Sequence, residues 1–185
     1  MIEIDGHHLT LEQVMRIARE GEPVRLSDNG RAAILESRAC LDAILETGRP
    51  VYGINTGFGI FADRRIRPDE SAQLSRNLIL SHAIGTGPAL PAEVVRGAML
   101  VRANTLARGC SGVRLEVVET LLEMLNRGVT PVVPSQGSLG SSGDLGPLSH
   151  MALVWTTDHL DCEEDSGWAE YGGVIMTGKA AMAEA

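Results

Sequence analysis

Residues 68–128 read PDESAQLSRNLILSHAIGTGPALPAEVVRGAMLVRANTLARGCSGVRLEVVETLLEMLNRG, and this stretch decides the fold class. Proline opens two helices, at Pro68 and Pro91, because its fixed φ suits the first turn of a helix. Glycine ends each helical run, at Gly85, Gly109 and Gly128. The run from about residue 114 to 127 carries an apolar stripe at helical spacing, formed by Leu115, Val118, Leu121, Leu122 and Leu125. Three helices in series with short connections predict a mainly α fold built as a helical bundle.

The residues before this stretch predict two more helices and a strand. Thr10 and Gln13 form a capping-box pattern, and apolar residues at helical spacing continue to about Glu20. Residues 23–26 alternate like a brief strand, and a longer helix is expected from about residue 29 to 47. The expected core face of that longer helix is Ile34, Leu41, Ile44 and Leu45.

Composition excludes several functional classes. The chain has 185 residues and a net charge of −8, which argues against a nucleic-acid-binding surface. No run of eighteen apolar residues and no basic-then-apolar leader occurs, so neither a membrane span nor a secretory signal is expected. These features predict a cytoplasmic protein whose partners are small molecules.

The cysteines and histidines do not predict a metal site or a disulfide framework. Cys40, Cys110 and Cys162 are odd in number and widely spaced, so we interpret them as packing residues. The spacing of His150, His159 and Cys162 lacks a paired motif and a fourth ligand. No metal ion is therefore expected.

The densest unusual stretch is residues 137–147, which read GSLGSSGDLGP. It is typical of a turn-rich linker in which Ser142 or Asp144 caps the helix that follows. Glycine-rich backbone before a helix also binds anions, although the Gly-Lys-Ser/Thr of a phosphate loop is missing here. A serine nucleophile is a third possibility, although the G-x-S-x-G spacing is absent. Composition alone leaves these three interpretations open.

Three motifs, in order, resemble the aromatic amino acid ammonia-lyases, the family that acts on histidine, phenylalanine or tyrosine. They are VYGINTGFG at 51–59, LILSHAIGTG at 78–87 and GSLGSSGDLGPLSHMALV at 137–154. The resemblance covers about residues 51–155 and is closest to the histidine ammonia-lyases. It implies a helical bundle of the fumarase/ammonia-lyase type, with glycine-rich active-site loops and minor β structure.

The resemblance implies that Ser141-Ser142-Gly143 cyclises into 4-methylidene-imidazol-5-one, an internal electrophile that needs no external cofactor. The Gly143 nitrogen must approach the carbonyl carbon of Ser141 closely, which a residue without Cβ allows. Ser142 must lose its hydroxyl as water. The family usually has alanine where this chain has Ser141, whose hydroxymethyl group would hang from the ring. Asp144 follows the tripeptide and is expected to assist ring closure, to cap the next helix, or both.

The other two motifs imply the remaining site residues. Tyr52 corresponds to the base that removes the β-proton of the substrate. Residues 51–63 are too rich in glycine to form a stable helix, and within this loop Asn55 and Gly59 are expected to contact the substrate. His82 is expected to contact the substrate side chain, and a polar histidine there suits an imidazole or a phenol. The implied reaction converts L-histidine to trans-urocanate and ammonia; the alternative is a tyrosine or phenylalanine ammonia-lyase or aminomutase.

The C-terminal residues predict a hairpin and then an incomplete helix. Residues 170–173 form a turn signal, and Thr177 is expected to cap a helix that stops without an end signal. We therefore interpret residues 1–185 as the N-terminal part of an ammonia-lyase whose C-terminal helical part is absent. The family forms homotetramers in which three subunits build each active site. The alternative of another class is a catalytically incomplete fragment or a non-enzymatic helical assembly module.

Overall fold

A computed structural model of the chain describes residues 1–140, 143–156 and 162–185. The helices are α1 (Leu11–Glu20), α2 (Asp28–Glu46), α3 (Pro68–His82), α4 (Ala92–Leu106), α5 (Leu115–Arg127), α6 (Leu145–Trp155) and α7 (Gly178–Glu184). The strands are β1 (Ile2–Ile4), β2 (Val24–Leu26), β3 (Thr86–Ala89), β4 (Thr130–Pro131), β5 (Pro134–Gln136), β6 (Trp168–Tyr171) and β7 (Val174–Thr177). The fold is mainly α with minor β structure, which confirms the predicted fold class.

Local capping signals place the helix ends, as the sequence predicts. Thr10 and Gln13 form the complete capping box of α1, and Gly128 ends α5 in the left-handed conformation. Thr177 caps α7 by accepting a hydrogen bond from the Ala180 N–H. Each of these signals acts within a few residues, so it can be identified without knowledge of the tertiary fold.

The core lies where α4 packs against α1 and α5. From α4 it takes Val95, Met99, Leu100 and Ala103, each no more than 2% exposed. From α5 it takes Val118, Leu121, Leu122, Met124 and Leu125. Fully burying one such aliphatic side chain contributes about 1.5–3 kcal/mol, so this contact is the main source of stability.

Arg96 of α4 joins the ends of its two neighbours. Its guanidinium donates to the carbonyl oxygens of Ile17 and Ala18 in the last turns of α1, at 3.0 and 3.1 Å, and to that of Leu125 near the end of α5, at 3.2 Å. Carbonyls in the last turn of a helix lack intrahelical donors, so a cation there is doubly favourable. Burial lowers the pKa of Arg96, but a guanidinium remains charged.

Short strands complete the framework. β1 pairs parallel with β2, β3 antiparallel with β5, and β4, β6 and β7 form a three-stranded antiparallel sheet. The hairpin predicted around residues 170–173 is confirmed between β6 and β7, and Gly172 and Gly173 both have positive φ. The strand predicted at residues 23–26 is confirmed as β2, but β1 and its pairing with β2 were not predicted.

Two predictions about side-chain burial are wrong. Of the four residues predicted for the core face of α2, only Ile34 is buried; Leu45 is exposed, and Leu41 and Ile44 border an open pocket of about 550 Å³. The three cysteines are exposed rather than packed. Cys40 lies in the C-terminal half of α2, and Cys110 and Cys162 lie in loops. None of the helices that the described residues form combines the length and hydropathy needed to cross a membrane.

Candidate active site

Two glycine-containing segments meet at the start of α6. One follows α3 and includes β3, and the other includes β5 and continues to Gly137; Thr86 pairs with Gln136 across them. A Cβ at Gly137 would lie 3.0 Å from the Gly85 Cα, and one at Gly146 would lie 2.8 Å from the Gly137 carbonyl oxygen. These backbones therefore approach more closely than any residue with a side chain would allow.

His150, one turn into α6, links this helix to the segment after α3; we call the region where the two glycine-containing segments meet α6 the junction. Its Nε2 accepts a hydrogen bond from the Gly85 N–H at 2.9 Å. Because an N–H only donates, Nε2 carries no proton and the neutral ring holds its proton on Nδ1. Burial lowers the pKa of His150, which favours this neutral form.

His82 is the last residue of α3, where its backbone lies beside the start of α6. A Cβ at Gly146 would lie 3.6 Å from the His82 carbonyl oxygen. The His82 Nδ1 is 2.8 Å from the Leu78 carbonyl oxygen, which can only accept, so Nδ1 donates. In the neutral ring Nε2 is therefore the atom with an acceptor lone pair.

Asp144 precedes α6 in an unusual conformation. It has φ +61° and is the one non-glycine residue with positive φ among residues 1–140, 143–156 and 162–185. Its side chain does not cap α6, and the third helical residue, Pro147, has no N–H to offer. Instead the Ser138 hydroxyl donates to the Asp144 carboxylate, and the Gly140 N–H donates to the Ser138 oxygen at 3.2 Å.

Gly143 is the one residue of the predicted tripeptide whose placement can be given. It has φ +85°, and among the described residues, its chain neighbours aside, no atom lies within 4 Å of the point where a Cβ would stand. Its N–H donates to the Gly140 carbonyl at 3.1 Å. Ser141 and Ser142 lie outside the described residues.

Tyr52 lies at the edge of the predicted glycine-rich loop. Its side chain is 63% exposed, and its ring meets the ring of Phe58 edge-on with centroids 5.9 Å apart. Gly59 starts a short 3₁₀ turn at φ +56°, with open space where a Cβ would stand. Both residues are therefore reachable from solvent.

Asn55 holds the loop together from within. Its Oδ1 accepts the Val51 N–H at 2.7 Å, and its Nδ2 donates to the Arg49 carbonyl at 2.9 Å. The neighbouring Thr56 is buried, and its hydroxyl donates to the Gly57 carbonyl at 3.0 Å. The Asn55 amide is thus engaged with backbone, although it was predicted to bind the substrate.

The structure brings some predicted site residues together and leaves others apart. The His82 carbonyl lies beside Gly146 in the first turn of α6, and Gly143 and Asp144 directly precede that helix. No hydrogen bond or ring contact among the described residues joins the loop of Tyr52, Asn55 and Gly59 to those residues. Gly143 and Asp144 also line a pocket of about 350 Å³, whose other walls are mainly apolar residues of α4 and α6.

Metal ligands do not gather in the part of the chain that the structure describes: it contains no group of three or more His, Cys, Asp or Glu residues placed to hold a metal ion. His159 lies outside the described residues. The sequence interpretation considered His150 only as a metal ligand and missed its contact with Gly85. The available signal was its spacing, because a residue four positions after Gly146 shares a helix face with it.

Comparison with known proteins gives consistent matches. The family model described as aromatic amino acid lyase matches residues 9–185. Histidine ammonia-lyase from Caldanaerobacter subterraneus subsp. tengcongensis is 48% identical over 184 residues, which is 100% of this chain and 35% of that protein. The chain therefore spans about a third of the length of such relatives.

Solved structures match the fold as well. Ergothionase from Treponema denticola superposes with a TM-score of 0.91 at 32% identity, over 99% of this chain and 35% of that one. Histidine ammonia-lyase from Trypanosoma cruzi superposes with a TM-score of 0.86 at 35% identity, over 99% of this chain and 34% of that one.

Proposed function

Because this chain belongs to the aromatic amino acid lyase family, we propose that the whole protein is an ammonia-lyase that converts L-histidine to trans-urocanate and ammonia. The observation that carries the proposal is the junction at the start of α6. There His82 lies beside the helix that directly follows the Ser-Ser-Gly tripeptide. A group that contacts a substrate side chain and a group that reacts with its amine must lie this near each other to act on one amino acid.

The residues around the tripeptide fit the formation of 4-methylidene-imidazol-5-one from Ser141-Ser142-Gly143. Gly143 has positive φ and no Cβ, so its nitrogen can approach the preceding backbone closely. Closure would join the Gly143 nitrogen to the Ser141 carbonyl carbon and release one water, and loss of the Ser142 hydroxyl would release a second. The Asp144 carboxylate, which accepts a hydrogen bond from the Ser138 hydroxyl and directly follows the tripeptide, is proposed to accept a proton during closure.

The proposed group supplies an electrophile toward the substrate amine and so makes that amine a better leaving group. Tyr52 is proposed to remove the β-proton of the substrate. In the described residues Tyr52 is exposed, so further polypeptide must cover it before it can work in a water-poor site.

His82 is proposed to select the substrate. Its Nδ1 is engaged by the Leu78 carbonyl, which leaves Nε2 to accept a hydrogen bond from the N–H of the substrate imidazole. A site built around such a bond discriminates against a phenyl ring, because the analogue leaves the buried acceptor unpaired. This supports histidine over phenylalanine.

The test combines mass spectrometry with product analysis on the full-length protein. We expect an intact mass that is two waters short, with the deficit mapped to Ser141-Ser142-Gly143, and urocanate and ammonia from L-histidine. A Ser142→Ala variant is the control and should lack the deficit at that position. An unmodified tripeptide in the full-length protein would refute the electrophile. Release of ammonia from tyrosine or phenylalanine alone, or formation of a β-amino acid, would refute the substrate assignment.

A further inference from the structure

We propose that His150 is a positioning residue, which holds the backbone after His82 against α6 by accepting the Gly85 N–H. The inference rests on the proposed function, since it concerns how His82 is held for the substrate side chain. His150 itself is not placed in contact with substrate.

The first step is the geometry of α6. Gly146 and His150 are four residues apart and therefore lie on one face of the helix. The segment after α3 touches that face at two points: the His82 carbonyl lies next to Gly146, and the Gly85 N–H bonds to His150. Two contacts three residues apart fix both the position and the direction of this segment.

The second step is the lack of free space around Gly85. A Cβ at this position would lie 3.0 Å from the His150 Nε2 and 3.2 Å from the Gln136 carbonyl oxygen. Backbone of the β5 segment and the His150 imidazole therefore converge on a residue that carries only hydrogen there. If the imidazole were replaced by a side chain without an acceptor, the Gly85 N–H would have to shift to find another partner.

The third step connects position to substrate. The tripeptide directly precedes α6, so the substrate amine is expected at the start of this helix, while the side chain is expected at His82. The distance between these two ends depends on how the segment after α3 sits on α6. Loosening the Gly85 contact should therefore weaken substrate binding without preventing cyclisation, because the tripeptide lies on the other side of Gly146 in the sequence.

The experiment compares His150→Leu with His150→Gln in the full-length protein. Leucine fills a similar volume without an acceptor, whereas the glutamine Oε1 can accept the Gly85 N–H. For His150→Leu we expect the KM for L-histidine to rise about tenfold while kcat stays within about threefold. The two-water deficit should remain, and peptides covering residues 83–90 should exchange amide hydrogens faster. His150→Gln should restore KM to within about threefold of the unsubstituted value.

Several outcomes would overturn the inference. One is an unchanged KM in His150→Leu, and another is an equal rise in KM in both variants, since the acceptor would then be irrelevant. Loss of the two-water deficit in His150→Leu would show a general structural role instead. The unsubstituted protein tests the proposed function separately. If it deaminates tyrosine or phenylalanine rather than histidine, only the substrate assignment fails, and the same comparison of variants is made with that substrate.

Discussion

At Gly109 a left-handed backbone coincides with a close approach to α2. Its φ is +68°, and a Cβ would lie 2.6 Å from the Ala33 carbonyl carbon. A non-glycine residue in this conformation costs about 1–2 kcal/mol, and overpacking adds about 1–3 kcal/mol. We therefore expect Gly109→Ala to lower the free energy of unfolding by about 2–5 kcal/mol, measured by denaturant titration.

Gly21 provides a matched control for that substitution. It has the same φ of +68° and also follows a helix, but no atom lies within 4 Å of its Cβ position. Gly21→Ala should cost only the backbone contribution, about 1–2 kcal/mol. Equal losses for the two variants would mean that the approach to Ala33 relaxes without cost.

The depressed pKa of His150 makes stability depend on pH in a defined direction. Burial lowers this pKa from 6.5 in the folded chain, so protonation favours the unfolded state. The contribution is fully present above pH 6.5 and is lost as the pH falls through the folded-state pKa. Denaturant titrations on both sides of this value should show a smaller loss at low pH for His150→Gln than for the unsubstituted chain. Identical losses would exclude His150 as a source of the pH dependence.

Single residues show which contacts could be predicted from the sequence and which could not. Thr10 and Thr177 were predicted as caps and act as caps, because a cap needs only its own neighbours. Asp144 was expected to cap α6, but Pro147 removes one of the N–H groups and Ser138 engages the carboxylate instead. The spacing of His150 from Gly146 indicates a shared helix face, but the partner on that face, the Gly85 N–H, is 65 residues away and could not be identified from it.

At the level of elements, Arg96 couples helices α1, α4 and α5. Truncating its head group while keeping an apolar stem, as in Arg96→Met, removes the guanidinium donor from the Ile17 and Ala18 carbonyls and leaves the Leu125 carbonyl with only the Gly128 N–H at 3.4 Å. We expect a loss of about 2–4 kcal/mol in the free energy of unfolding, since hydrogen bonds to a charged group are stronger than neutral ones. Arg96→Lys should recover only part of this loss, because one ammonium cannot reach both helix ends in a fork.

Arg102→Met is the control for the Arg96 variants. Arg102 lies on the same helix but is exposed, and its replacement should change stability by less than about 0.5 kcal/mol. If Arg96→Met costs no more than Arg102→Met, the contacts with the two helix ends contribute nothing to stability.

Helices could be predicted and strand pairing could not, for a physical reason. The starts of α3 and α4 follow from proline and the end of α5 from glycine, whereas α3 and α4 end three residues before the predicted Gly85 and Gly109; these signals act within one turn or one helix. The β3–β5 pair joins segments almost fifty residues apart, and its strands have too few residues to display a period. That pair nevertheless creates the junction at α6, so the most informative contact of the candidate site was inaccessible from the sequence.

For the whole molecule, the three motifs that carry the resemblance divide into two groups. The motifs at 78–87 and 137–154 meet at the start of α6, whereas the motif at 51–59 shares no hydrogen bond or ring contact with them among the described residues. The sequence could indicate which residues are candidates for the active site, because the three motifs contain them. It could not indicate how much of that site one chain of 185 residues assembles.

This incompleteness predicts that the 185-residue chain alone does not catalyse the proposed reaction. For a tyrosine to act as a base, water must be excluded and neighbouring groups must stabilise its deprotonated form. Tyr52, however, is 63% exposed. The pocket beside Gly143 and Asp144 is likewise open, and Val94 and Val101 on its α4 wall are about half exposed. We expect no release of ammonia from L-histidine by this chain, and release by the full-length protein under the same conditions.

The control is a full-length Tyr52→Phe variant, whose two-water deficit should be intact while kcat falls by about 10²–10⁴-fold. If the short chain also shows the two-water deficit, this result would mean that it is inactive because Tyr52 is exposed to water, and not because the electrophile is missing. Ammonia release by the short chain would instead mean that residues 1–185 form a complete site. The proposal that further polypeptide must cover Tyr52 would then be wrong, because a water-exposed Tyr52 would be sufficient to remove the β-proton of the substrate.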